Sequence, residues 1–127
     1  MTIHEISTIE AATIETTSAT ATILHIAEHP DPNHGIAMVG VIQGLVDRAS
    51  ARAAELDALI DRIGEAEVGG TLATLKGVCG PTFVQAVIRA KAVLRRHVRA
   101  EDLFADWESK SIALFDTVQR LLLHAKP

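Results

Sequence analysis

The residues best suited to chemistry are histidines in the first third of the chain. His25 and His29 stand four positions apart, one turn of a helix, with Glu28 between them and Asp31 and His34 just beyond. Two imidazoles at that spacing can share a divalent ion, and a neighbouring carboxylate can complete the set or activate a bound water. His25, His29 and His34, completed by Glu28 or Asp31, are therefore the candidate metal ligands. The competing reading is three solvated histidines beside a loop, because spacing alone does not bring ligands together.

The order His25-Ile26-Ala27-Glu28-His29 resembles the H-x-x-E-H motif of the inverted zinc peptidases, which implies a zinc site with Glu28 activating water. Pro30 follows at once and ends the helix that this family continues. No downstream glutamate stands in a third-ligand context, and the chain is short for that fold. The expectation is a chain that is not an enzyme, with a metal-binding helical protein as the alternative reading.

Other motifs fall short of a mechanism. Gly64-Glu65-Ala66-Glu67-Val68-Gly69-Gly70-Thr71 has P-loop spacing, but Gly70 replaces the lysine and two glutamates would repel phosphate. Ala73-Thr74-Leu75-Lys76-Gly77 is similar to a fragment of the A-H-x-L-K-G motif of phosphotransfer-histidine domains. In that register Ala73 takes the place of the histidine, so the phosphoryl acceptor is missing. Cys79 has no histidine near it in sequence to act as a base, which favours an incidental thiol.

A basic cluster closes the list. Arg89, Arg95, Arg96 and Arg99 are the candidate partner-binding residues, joined by Lys91 and His97. No aromatic residues interleave with them for base stacking, and the whole chain is acidic, which argues against nucleic acid. A protein partner fits better. The bland reading is a solvated, partly salt-bridged helix face paired with Glu101, Asp102 and Asp106 or with the acidic leader.

The elements that must carry these residues read as helices. From Ile36 to Ile63, Ile42, Val46, Ala49, Ala53, Leu56, Ile60 and Ile63 recur at steps of four and three. That spacing makes one apolar seam on a helix, bounded by Pro30-Asp31-Pro32 before it and Gly64 after it. The seam needs cover, from the rest of the chain or from a second copy in a homodimer through residues 36–63. Gly40 and Gly44 form a small-xxx-small step and read as a close contact point. A second helix is expected over about 81–100, with Phe83, Val87, Ala90, Leu94 and Val98 on one face. A third is expected over about 102–124, where Phe104, Trp107, Leu114 and Val118 share a face interrupted by Ser111. No strong breaker divides them, so residues 81–124 form either one bent helix or two. Residues 20–29 read as a short helix, and the Thr- and Ile-rich residues 1–22 as a flexible acidic leader. The expected fold is all-α: a bundle of three major helices within a single domain, 23–127.

Composition agrees with that class. The 127 residues are 48% hydrophobic and 22% charged, with three Phe, one Trp and no Tyr, so aliphatic side chains and alanine must supply the core. The net charge is −4, and no Lys or Arg precedes Arg48. A basic start, required of a secretory signal or a mitochondrial presequence, is absent. The longest apolar run is too short to span a bilayer. With one cysteine there is no internal disulfide, and a cytoplasmic setting is the expectation. These features point to a small non-enzymatic regulatory or interaction protein without a cofactor, binding another macromolecule through a charged helix face.

Overall fold

The stretch expected to be a flexible leader is the start of a long helix. In the structure, a computed structural model that describes residues 2–64 and 80–125, helix α1 runs Ile3–Glu28. It absorbs both residues 1–22 and the short helix expected over 20–29. Thr2 caps it: the Glu5 N–H donates to Thr2 Oγ1 at 3.2 Å, and the Thr2 N–H donates to Glu5 Oε1 at 2.8 Å. This reciprocal box satisfies two of the amides that a helix start leaves open. The inward face is Glu5, Ile9, Ala12, Thr16, Ala19 and Ile23, all buried and again at steps of four and three. The Thr13 and Thr20 hydroxyls donate to the carbonyls one turn back, at Ile9 and Thr16, so threonine enters the interior with its donor satisfied.

A short 3-10 turn, Pro32–His34, leads into α2, Gly35–Ile63. Gly64 ends α2 at φ 94, a left-handed backbone that suits glycine, and its N–H donates to the Ile60 carbonyl at 2.8 Å. Two further helices follow among the described residues, α3 (Gly80–Leu94) and α4 (Glu101–Ala125). The described residues thus hold four long α-helices, where three major ones and a short N-terminal one were expected. The P-loop-like glycines after Gly64, the Ala73–Gly77 fragment and Cys79 lie outside the described residues.

The helices form a four-membered ring. α1 packs on α2 and α3, and α4 packs on α2 and α3. α2 and α4 run parallel. Their side-chain contacts Gln43–Asp106, Asp47–Lys110 and Asp57–Arg120 keep a constant separation of 63 positions. One core cluster draws on all four helices, with Ile23, Ile42, Val46, Phe83, Val87 and Trp107 among its fully buried members. A smaller cluster joins α1 to the end of α2 through Ile9, Ala12, Leu56, Leu59 and Ile60. The α2 seam from Ile42 to Ile60 is therefore covered within the chain, by α1 on one side and α4 on the other.

Three local expectations change. The helix expected to reach Ala100 stops at Leu94, whose carbonyl accepts the N–H groups of both His97 and Val98 at 2.9 Å. Residues 81–124 are accordingly two helices with a short connection. Ser111 lies on no shallow part of α4: it is 1% exposed, and its hydroxyl donates to the Trp107 carbonyl at 2.6 Å. Gly40 and Gly44 are no close contact point among the described residues, for a Cβ built at either meets nothing of them within 4 Å. No helix among the described residues is long and apolar enough to cross a membrane.

Candidate functional site

The two short connections, 29–34 between α1 and α2 and 95–100 between α3 and α4, meet at one end of the bundle. Gly35 makes the meeting close. A methyl group there would lie 2.7 Å from Val98 Cγ2 and 3.7 Å from His97 Cβ. Glycine at the first position of α2 thus lets the second connection lie directly against the helix start. Around this contact runs an open groove lined by Asn33, His34, Ile36, Ala37, His97 and Val98.

The candidate metal ligands sit near this end but do not converge. The His25 and His29 rings lie 4.8 Å apart, tilted by 46°. His34 turns away to its own partner, Asp31, with Nδ1 2.5 Å from the carboxylate. That imidazole, followed by the Asn33 N–H, holds the Asp31 carboxyl below its ordinary value. Among the described residues, no group of three or more His, Cys, Asp or Glu side chains is placed to hold a metal ion.

The four candidate arginines divide in two. Arg89 faces Glu28 of α1 at 3.4 Å, and Arg95 grips Glu101 through both Nε and Nη2, the latter at 2.9 Å from Oε2. Both are cross-braces: one ties α3 to α1, the other spans the turn from α3 to α4. Arg96 and Arg99 are exposed and have no ion-pair partner among the described residues. Of the two acidic residues that follow in sequence, Glu101 is engaged by Arg95, and Asp102 is exposed with no ion-pair partner among the described residues; Glu28 at the end of α1 and Asp31 of the neighbouring connection are engaged by Arg89 and His34. An acidic chain therefore carries a local cationic surplus on the 95–100 connection. Arg95, Arg96 and Arg99 lie on this connection, because α3 has ended before Arg95, and Arg89 is the one of the four on the helix itself.

Elsewhere several charges are matched across the helices. Arg52 of α2 bridges Glu15 of α1 at 2.6 Å and Glu55 at 2.9 Å, and Glu15 first, then Glu55, raises its affinity for the proton. Lys110 reaches Asp47 and Asp106. Gln43 donates to the Asp106 carboxylate at 2.9 Å and, with Lys110 second, holds its pKa down.

Sequence reasoning missed Ile36, which is 79% exposed at the edge of the groove, and Val41, which is 50% exposed five positions further along α2. Their signal was present as an uncharged run from Ile36 to Val46 that the buried seam only partly uses. Comparison with protein-family models, with characterised proteins and with solved structures finds no match for this chain.

Proposed function

We propose that the protein is a small non-enzymatic interaction protein, and that its partner-binding surface is the basic end of the bundle around Arg96 and Arg99. The observation that carries this reading is the division of the arginines. Arg89 and Arg95 are held by acidic groups of the chain itself, whereas Arg96 and Arg99 stand exposed without such groups among the described residues. Exposed charge of one sign on a surface of the other sign steers a complementary partner and fixes its orientation. The partner would be a protein that presents carboxylates.

The reading is tested by cross-linking and capture from the native host with three forms of the full-length chain. The wild type and an Arg89→Gln variant should retain the same stoichiometric protein. The Arg96→Glu/Arg99→Glu variant should lose it while keeping its helical circular dichroism. Equal capture by all three would overturn the reading.

A further inference from the structure

The cationic connection does not stand alone. The groove beside it opens on the start of α2, where Ile36 is 79% exposed and Val41 50% exposed. Ile36, Gly40 and Gly44 repeat every fourth residue and so lie on one side of α2. Among the described residues neither glycine meets any atom where a Cβ would be, so another backbone could approach that side closely. No charged residue lies between Ile36 and Val46. An uncharged, partly apolar helix face therefore runs up to a connection bearing Arg96, His97 and Arg99.

From this juxtaposition we infer that the surface docks an acidic amphipathic helix of a partner protein. Its apolar side lies along Ile36, Gly40, Val41 and Gly44, and its carboxylates meet Arg96 and Arg99. The inference rests on the proposed interaction function and specifies the kind of partner. Charge chooses the sign: residues 95–100 hold three arginines and no acid, and Glu101 engages only Arg95 of them, which leaves Arg96 and Arg99 exposed against the single exposed carboxylate of Asp102. Geometry chooses the form: an exposed face with a four-residue repeat is one that a second helix can lie along. A second copy of the chain is the rival occupant. It matches less well, because two copies meeting at this end would bring Arg96 and Arg99 towards their own equivalents.

The probe is a fluorescein-labelled Leu/Glu-repeat helical peptide, read by fluorescence anisotropy against the full-length chain. Two control peptides carry Lys in place of Glu, or Ser in place of Leu. Binding by the Leu/Glu peptide alone is expected. Arg96→Glu/Arg99→Glu and, separately, Ile36→Asp should each weaken it about tenfold or more. Gly40→Leu/Gly44→Leu should weaken it as well, by filling the space for close approach. All of these positions are exposed or open, and circular dichroism of each variant confirms the fold. No binding of the Leu/Glu peptide, or equal binding of the Lys peptide, overturns the inference. So does concentration-dependent self-association that Ile36→Asp abolishes, since a second copy would then be the occupant. Binding that depends on Arg96 and Arg99 but ignores Ile36, Gly40 and Gly44 overturns the amphipathic helix while leaving the proposed interaction function standing.

Discussion

Gly35 and Val98 are in contact at the end of the bundle, with room for no more than a hydrogen on the Gly35 Cα: a methyl there would lie 2.7 Å from Val98 Cγ2. The pair locks the start of α2 against the connection that displays Arg96 and Arg99. Gly35→Ala should therefore cost about 1–3 kcal/mol through overpacking, although alanine is the better helix former. Gly35→Ala/Val98→Ala should recover part of that loss, because the shortened side chain makes room. Thermal unfolding of the two single variants and the double variant measures the coupling. Strict additivity would mean that the two residues do not press on one another.

The helical leader makes a second prediction. Ile23 is fully buried and Ile14 is 69% exposed on the same helix. Ile23→Ala should destabilise the fold by about 2–5 kcal/mol, as large-to-small core changes do. Ile14→Ala should stay within about 0.5 kcal/mol. Urea unfolding checks both. Equal small effects would return α1 to the status of a loose arm.

The acid limb of stability should have an identifiable source. Glu5, Asp31 and Asp106 are each held below their ordinary values: Glu5 first by the Thr2 amide, Asp31 first by His34, Asp106 first by Gln43. A carboxylate lowered on folding adds stability that is complete above its ordinary value, 4.5 for Glu5 and 3.8 for the two aspartates. That stability drains away as the pH falls through the lowered value. Tm should thus be flat through neutral pH and fall below about pH 4, the ordinary range of these groups. In Asp106→Asn the fall should be shallower. An unchanged acid limb in that variant would remove Asp106 from the explanation.

How much of this was readable in the residues differs by helix. α2 was legible because its seam is written in Ile, Val and Leu and bracketed by proline and glycine. α1 carries the same four-three rhythm, but Glu5, Ala12, Thr16 and Ala19 occupy the inward positions, and only Ile9 and Ile23 announce it. Threonine reads as a poor helix former until its hydroxyl is seen to donate to the carbonyl one turn back. The end of α3 at Leu94 was not legible, because no breaker residue marks it. It coincides with tertiary contacts, Val98 against Gly35 and Arg95 across to Glu101. The candidate site suffered from the same gap. The sequence grouped Arg89, Arg95, Arg96 and Arg99, and only the positions of Glu28 and Glu101 separate the cross-braces from the exposed pair.

Metal binding offers a further check on the histidines. His25 and His29 face one another, but His34 is committed to Asp31 and no third ligand joins them among the described residues. Equimolar zinc should therefore leave Tm unchanged, since a ligand stabilises only the state that binds it. A rise in Tm that disappears in His25→Ala/His29→Ala would revive the metal-binding reading.

The most direct measurement is an amide chemical-shift map of the nitrogen-15-labelled chain, titrated with the acidic Leu/Glu peptide. The account predicts saturable shifts confined to His34–Gly44 and Arg95–Ala100, and their loss in the Arg96→Glu/Arg99→Glu variant. Shifts centred instead on the groove between α1 and α2 around Ser7, Thr8 and Arg52, or none at Arg96 and Arg99 at saturation, would contradict it.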